Sequence, residues 1–242
     1  MKLSLLALPV IGMFTHTAFA GGLIEQLPAD GTWVKFDFIP PNDSSSKGEP
    51  ETQTLTMSSV GVVTVDGEKC RWIELKIVPK TKGYFPQLVK FLVPERFLTA
   101  NEDPMRHILK LGQTYGFTMP PNDTLVKADW NDNPVANTVP YHTLFRKPLA
   151  AVVSLPNVTV ETKLGNLDCS VVTGRCHDGG NGIVSLQITQ ETQLHKKAPF
   201  GVVTIRVTTE VIQDGVVYEK GTRSLKLVDA GINAKSEMLD PP

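Results

Sequence analysis

Four side chains in the second half of the chain form its densest group that could do chemistry. Cys176-His177-Asp178 supplies a sulfur, an imidazole and a carboxylate, and Cys169 adds a second sulfur. Structural zinc sites usually combine two pairs of closely spaced ligands, and the sequence has one such group. A cysteine nucleophile needs a histidine that a third group orients, which adjacent loop residues seldom achieve. We therefore expect no metal and no cofactor, and we keep a cryptic hydrolase that uses Cys176 and His177 as an alternative.

The three cysteines allow at most one disulfide within the chain. Gly174 lies between Cys169 and Cys176 and could turn the chain back so that the two sulfurs meet, which makes a Cys169–Cys176 bridge one alternative. The other alternative is that the cysteines are small buried apolar residues, as the strand-like surroundings of Cys70 and Cys169 indicate. Both alternatives fit the sequence.

The other histidines form no catalytic pattern. His107 borders an apolar stripe, His142 has no acidic or cysteine neighbour, and His195 precedes two lysines, so each is typical of a solvated or rim position. The sequence has no Gly-x-Ser-x-Gly elbow, no phosphate-binding glycine loop and no His-Glu-x-x-His motif. We expect a protein that is not an enzyme.

Residues 1–20 have the organisation of a secretory signal peptide. Lys2 precedes an apolar run, and Ala18-Phe19-Ala20 is the small-x-small pattern that signal peptidase recognises. The apolar core has about a dozen residues, whereas about 20 are needed to span a bilayer. We expect export to the periplasm or the extracellular space, with no transmembrane segment after cleavage.

The charge balance argues against a nucleic-acid partner. The chain has 24 basic and 25 acidic side chains and a formal net charge of -1, with no basic block. Nucleic-acid binding depends on neutralising many phosphates, which such a balance does not favour.

Alternation of apolar and polar residues predicts strands through most of the chain. In residues 32–39, Val34 and Phe36 alternate with Trp33 and Lys35, and a second hairpin is predicted around Asp66-Gly67. A longer hairpin is predicted from residues 203–211 and 216–228. We expect antiparallel pairing throughout these segments.

The loop of the last hairpin determines its register. A three-residue loop, Gln213-Asp214-Gly215, would place Val203 opposite Leu225 and Val211 opposite Val217. A two-residue loop would place Glu210 opposite Glu219, and like charges directly opposite each other destabilise a ladder. The sequence therefore favours the longer loop.

Residues 21–242 are predicted to form one β-rich domain with a helical and loop insert at about residues 100–156. Asp103 can cap a helix that begins at Pro104 and carries Met105, Ile108 and Leu109 on one face. Residues 149–155 are apolar and of uncertain type. Strands, an insert and further strands favour an α+β, mostly β fold, in which a few short helices pack on one face of an antiparallel sheet.

Three segments carry a resemblance to a known family. They are Thr32-Trp33-Val34, Gly165-Asn166-Leu167-Asp168-Cys169 and Ala198-Pro199-Phe200-Gly201-Val202-Val203. Together they resemble uncharacterised exported bacterial proteins that are similar to the LolA and LolB lipoprotein carriers. The resemblance implies a strongly curved, half-barrel-like sheet with helices on its concave side, and a lipid or a lipidated protein as partner.

The leading hypothesis is a non-catalytic binding or carrier module of the cell envelope, with a cavity for an apolar ligand. Each buried methylene would contribute about 0.8 kcal/mol to binding. The alternative is an envelope structural or interaction protein with no small ligand, in which the same side chains form a solid core. The predicted lining residues are Val34, Phe36, Leu75, Met105, Ile108, Leu109, Val203 and Val207.

Export should remove residues 1–20. We expect mass spectrometry of protein recovered from the envelope or the medium to identify Gly21 as the first residue, because cleavage follows Ala18-Phe19-Ala20. Recovery of chains that still begin at Met1 would contradict the prediction.

Overall fold

The computed structural model describes residues 22–41, 51–80, 86–99, 102–114, 129–132, 134, 142–145, 150–178 and 184–241. The predicted signal peptide and parts of the predicted insert lie outside the described residues.

The described residues form eleven strands in one antiparallel sheet, which confirms the prediction of a mostly β fold. The order across the sheet is β6-β5-β4-β3-β2-β1-β11-β10-β9-β8-β7, and the sheet is not closed. In chain order the strands are β1 (Trp33–Ile39), β2 (Gln53–Val65), β3 (Glu68–Val78), β4 (Gln87–Pro94), β5 (Lys110–Gln113), β6 (Asp129–Asp132), β7 (Ala150–Thr162), β8 (Gly165–Asp178), β9 (Val184–Leu194), β10 (Val202–Gln213) and β11 (Val216–Gly231).

Two antiparallel meanders make up this sheet. Strands β1 to β6 neighbour each other in chain order, and so do strands β7 to β11. Pairing of β1 with β11 joins the meanders, with Trp33 opposite Gly231 and Phe38 opposite Leu225. The first strand is therefore central because it has a partner on each side.

Side chains from both meanders share one hydrophobic core. Phe36 of β1, Ile73 of β3 and Ile205 of β10 belong to the same buried cluster, and Leu167 of β8 joins it from near the far edge. The rings of Phe91 and Phe145 meet edge to face, with centroids 5.6 Å apart. Aromatic rings thus pack among the aliphatic side chains on this face of the sheet.

The described helices are short. They are α1 (Glu95–Thr99) and two 3-10 helices, Pro104–His107 and His142–Leu144. Asp103 caps the first 3-10 helix as predicted, because its Oδ1 accepts the backbone N–H of Met105 at 3.0 Å. No helix in the described part of the chain has the length and apolar character to cross a membrane.

The prediction of one helical face through Met105, Ile108 and Leu109 is wrong. The helix ends at His107, Ile108 has extended backbone, and β5 begins two residues later. Met105 and Ile108 lie in the main core, whereas Leu109 packs with Cys70, Trp72 and Leu92 in a separate cluster. Successive residues of extended chain point to opposite faces, which separates Ile108 from Leu109. The predicted insert accordingly contains strands β5 and β6, and β7 begins within it.

The Asp66-Gly67 hairpin is confirmed, but the loop of the last hairpin differs from the prediction. Asp214 and Gly215 form a two-residue turn with positive φ angles of 51° and 78°, and Gln213 lies opposite Val216. Both positive angles suit a type I′ hairpin turn.

The predicted register of β10 and β11 is also wrong, and a β-bulge explains why the shorter loop is tolerated. The register shifts between Val211 and Ile212, so Glu210 lies opposite Lys220 instead of Glu219. The Lys220 Nζ is 2.8 Å from Glu210 Oε1. The bulge thereby replaces the like-charge pair by an ion pair, and Leu225 faces Ile205 instead of Val203.

Candidate functional site

Most of the predicted cavity-lining residues lie together in the main core. None of the seven that belong to it is more than 4% exposed. A ligand in this interior would have to displace packed side chains, because protein interiors are close-packed. Leu109 lies elsewhere, as described above. The role of these residues as a cavity lining stays a prediction. The seven are Val34, Phe36, Leu75, Met105, Ile108, Val203 and Val207.

Of the two alternatives for the cysteines, the Cys169–Cys176 disulfide is the one that the structure does not contain. Both cysteines lie on the uninterrupted strand β8, and both are free. Seven residues of extended chain span about 23 Å, far beyond the separation that a disulfide bridges. Gly174 does not turn the chain but pairs with Gln190 in the ladder to β9.

The described thiols and histidines have structural neighbours in the same chain, and the alternative of a hydrolase that uses Cys176 and His177 stays a prediction. Burial raises the pKa of the Cys70 and Cys169 thiols, which makes the reactive thiolate scarce. His107 stacks on Phe97 with centroids 3.5 Å apart, and His195 Nδ1 accepts the N–H of Lys197 at 3.1 Å. Within the described ranges no group of three or more His, Cys, Asp or Glu residues could hold a metal ion.

A buried ionic cluster on the opposite face of β3 and β4 binds the C-terminal segment. Lys90, 1% exposed, donates to Ser236 Oγ and to Asp240 Oδ1, each at 2.9 Å. Glu74, 4% exposed, accepts the Ser236 hydroxyl at 2.8 Å and the Glu237 N–H at 3.0 Å. Lys90 and Glu74 thus have structural partners in the same chain. The cluster attaches the C-terminal segment to the sheet.

An open groove of about 430 Å³, with both polar and apolar lining, lies where β7, β8 and β9 meet the loop before β10. Its carboxylates, amides, hydroxyl, imidazole and ammonium can recognise a polar surface by hydrogen bonds and charge. The lining residues are Glu25, Gln26, Asn157, Asp168, Ser170, Leu194, His195, Lys196 and Gly201.

Hydrogen bonds to backbone carbonyls connect distant parts of the chain at the wall of the groove. The Gln26 side-chain amide donates to the carbonyl of Ala198 at 2.7 Å, and the Glu25 N–H donates to the carbonyl of Phe200 at 2.9 Å. Gly201 has a φ of 84°, and a Cβ there would lie 2.9 Å from Glu25 Cβ. Only glycine lets the two segments approach this closely.

Strand β7 is an edge of the sheet, and its first ten residues are exposed. Val153 is 53% exposed, and Val152, Leu155 and Val158 are each 38% exposed. No charged residue occurs in residues 150–160. An edge strand presents unpaired backbone groups to solvent, and proteins protect such an edge with charges, prolines or β-bulges. Pro156 and two register shifts interrupt β7, but no charge protects it. Asn157 lies both on this strand and in the groove, so the two features form one continuous surface.

The opposite edge of the sheet provides a comparison. Strand β6 has four residues, and its exposed Asp129, Asn131 and Asp132 make it polar. Lys110 on β5 adds a further charge, with its Nζ 3.4 Å from Asp132 Oδ1. Short length and charge are common protection for an edge strand. The two described edges therefore differ, and the apolar one is β7.

Sequence reasoning did not identify the groove or the edge strand. The apolar, uncharged run around Val152 and Leu155 was visible, but nothing local says that a strand lies at an edge. The groove joins residues from separate parts of the chain, such as Gln26 and Asp168. The absence of charge through residues 150–160 was the signal that could have pointed to this surface.

Comparisons with known proteins give little further information. No protein-family model matches the chain, and no curated protein matches it. The chain is similar to a Bacteroides fragilis protein considered to be exported, which has a YmcC-like fold, at 11% identity and a TM-score of 0.37, covering 86% of this chain and 99% of that one. It is also similar to a Parabacteroides distasonis protein considered to be a lipoprotein, at 10% identity and a TM-score of 0.38, covering 86% and 98%. These values are too low to support an inference about this chain.

The buried Glu74 should make stability depend on pH. Burial raises the pKa of the Glu74 carboxyl, although hydrogen bonds from Glu237 and Ser236 and the charge of Lys90 lower it. A raised folded pKa contributes stability below the unfolded pKa of about 4.3, and this contribution is lost as pH rises through the folded pKa. The unfolding free energy of wild type minus that of Glu74→Gln should therefore fall as the pH of urea titrations rises above about 4.

Glu95→Gln is a control with the opposite sign. Burial would raise the pKa of Glu95, but hydrogen bonds from Lys69 and Arg71 outweigh it and lower the pKa. A lowered folded pKa contributes stability above the unfolded pKa that is lost as pH falls through the folded pKa. The wild-type advantage over Glu95→Gln should therefore rise with pH. Slopes of the same sign for both variants would contradict this account.

Proposed function

We propose that the protein is an exported, non-catalytic interaction protein of the cell envelope, and that it binds another polypeptide at β7. The observation that carries this proposal is the exposed edge strand, which has no charge in residues 150–160. An extended polypeptide can satisfy the unpaired N–H and C=O groups of such an edge, because strand addition uses backbone hydrogen bonds for affinity. Export rests on the signal-like residues 1–20.

Two further observations favour an interaction protein over a carrier of apolar ligands. The predicted lining residues Phe36, Val203 and Val207 have no solvent exposure and belong to the same buried hydrophobic cluster. The groove beside β7 is open to solvent and has charged and amide side chains in its lining, which suits contact with a protein surface better than enclosure of an acyl chain.

The described titratable groups favour a non-catalytic role. Glu74 and Lys90 hold the C-terminal segment, and His107 and His195 contact their own neighbours. Such groups have structural partners in the same chain and are not arranged as a nucleophile with its base.

A photo-crosslinking side chain at Val153 tests the proposal in cells that export the protein. Val153 is exposed on the β7 edge, and Asn131 on β6 is a control exposed at the opposite edge. We expect an adduct with a second polypeptide chain from position 153 and none from position 131, because only β7 presents an uncharged edge. Equal adducts from both positions, or none from position 153, would contradict the proposal.

A further inference from the structure

We propose that the polypeptide added to β7 is a strand in which basic residues alternate with apolar residues. This inference rests on the proposed function and names the chemistry of the partner at the same surface. In strand addition, backbone hydrogen bonds give affinity and the alternate side chains give specificity. The specificity follows from the way in which β7 divides its own side chains between the two faces of the sheet.

Apolar residues of β7 lie on one face of the sheet. Residues directly opposite each other in an antiparallel pair point to the same face, and successive residues of a strand point to opposite faces. Four apolar residues of β7 all lie opposite odd-numbered residues of β8, and they are Val153, Leu155, Val158 and Val160. The register shifts therefore leave these four side chains on the same face. An apolar side chain of an added strand would extend this face.

Polar side chains of β7 lie on the other face. Thr159 lies opposite Asp168 of β8, and Glu161 lies opposite Asn166. Residues 158–162 pair with β8 without a register shift and include no proline. An added strand that follows this run alternates its side chains in the same way, whether it is parallel or antiparallel to β7.

The polar face next to the edge is acidic. Glu161 and Asp168 are both exposed, and neither forms an ion pair within the described ranges of the chain. Lys163, which follows β7, is bound to Asp229, with 2.9 Å between Nζ and Oδ2. Lys196 also lines the groove, but it lies on the loop before β10 and not on the strand pair. Charge complementarity therefore favours a basic strand.

Basic residues of the added strand can reach both carboxylates. A basic residue directly opposite Glu161 forms a cross-strand pair of opposite charge, which stabilises a ladder. A residue opposite Thr159 lies two strand spacings, about 10 Å, from the backbone of Asp168. The small Thr159 side chain leaves space for the stem of a lysine or arginine to lie across it, with the charged end toward the carboxylate. Acidic residues at the same two positions would be repelled.

Fluorescence anisotropy of labelled peptides with the purified exported protein tests this preference. The first peptide alternates lysine with valine, and the second alternates glutamate with valine. The third has the lysines and valines of the first peptide arranged in two blocks. At low ionic strength we expect saturable binding of the first peptide, with a dissociation constant roughly tenfold or more below those of the other two. Only the first peptide places both its charges and its apolar side chains on the matching faces.

Charge reversal at the two carboxylates should reverse the preference. Glu161→Lys/Asp168→Lys should bind the glutamate peptide more tightly than the lysine peptide, because the pairs of opposite charge then form with glutamate. Asp129→Lys/Asp132→Lys is the matched control, since it makes the same change in net charge at the opposite edge of the sheet. The control should keep the preference of the wild type, and circular dichroism should show both variants folded.

Four results would overturn the inference. They are equal affinity for the lysine and glutamate peptides, no saturable binding of the lysine peptide, a lysine preference that survives Glu161→Lys/Asp168→Lys, and loss of that preference in the control, which would place the peptide at β6. If the inference fails while position 153 still crosslinks a second polypeptide in cells, the proposed function stands. Absence of that adduct would contradict the proposed function itself.

Discussion

The pairing of β1 with β11 is the interaction on which the rest of the structure depends. It joins a meander from the first half of the chain to a meander from the second half. At this seam the Trp33 ring lies directly over Gly231, where a Cβ would come within 2.6 Å of the ring. The close approach lets Phe36 and Leu225 enter the same buried cluster. One core therefore serves both halves of the sheet.

A shared core has consequences for function. Aromatic and aliphatic side chains from both meanders lie on the same side of the sheet. The core side chains therefore pack against other side chains of the same protein. The features that remain for recognition lie outside the core, at the groove and along β7. The charged groups of Glu74 and Lys90 already have partners within the chain, because they bind the C-terminal segment. The geometry therefore favours recognition at the surface over transport in the interior.

Local sequence patterns predicted the individual strands and turns better than they predicted which residues lie next to each other in the fold. Alternation of Val34 and Phe36 with Trp33 identified β1, and Asp66-Gly67 identified its hairpin, because both signals are contained in a few consecutive residues. The separation of Ile108 from Leu109 was missed because one helical turn and an extended chain place the same apolar residues on different faces.

The last hairpin and β8 show a second limit of sequence reasoning. A bulge at Val211 changes which charges face each other, and nothing in the local sequence specifies a bulge. Cys169 and Cys176 flank a glycine that resembles a turn residue, but pairing with β9 keeps the strand extended. The groove and the edge depend on sheet order, which is a property of the whole chain.

Native-state hydrogen exchange of Gly231→Ala tests most directly whether the seam makes the sheet one cooperative unit. The added methyl group collides with the Trp33 ring, which should cost about 1–3 kcal/mol. If both halves unfold together, the slowest amides of β3 and of β9 should accelerate by the same factor. Acceleration confined to one half of the sheet would contradict the account.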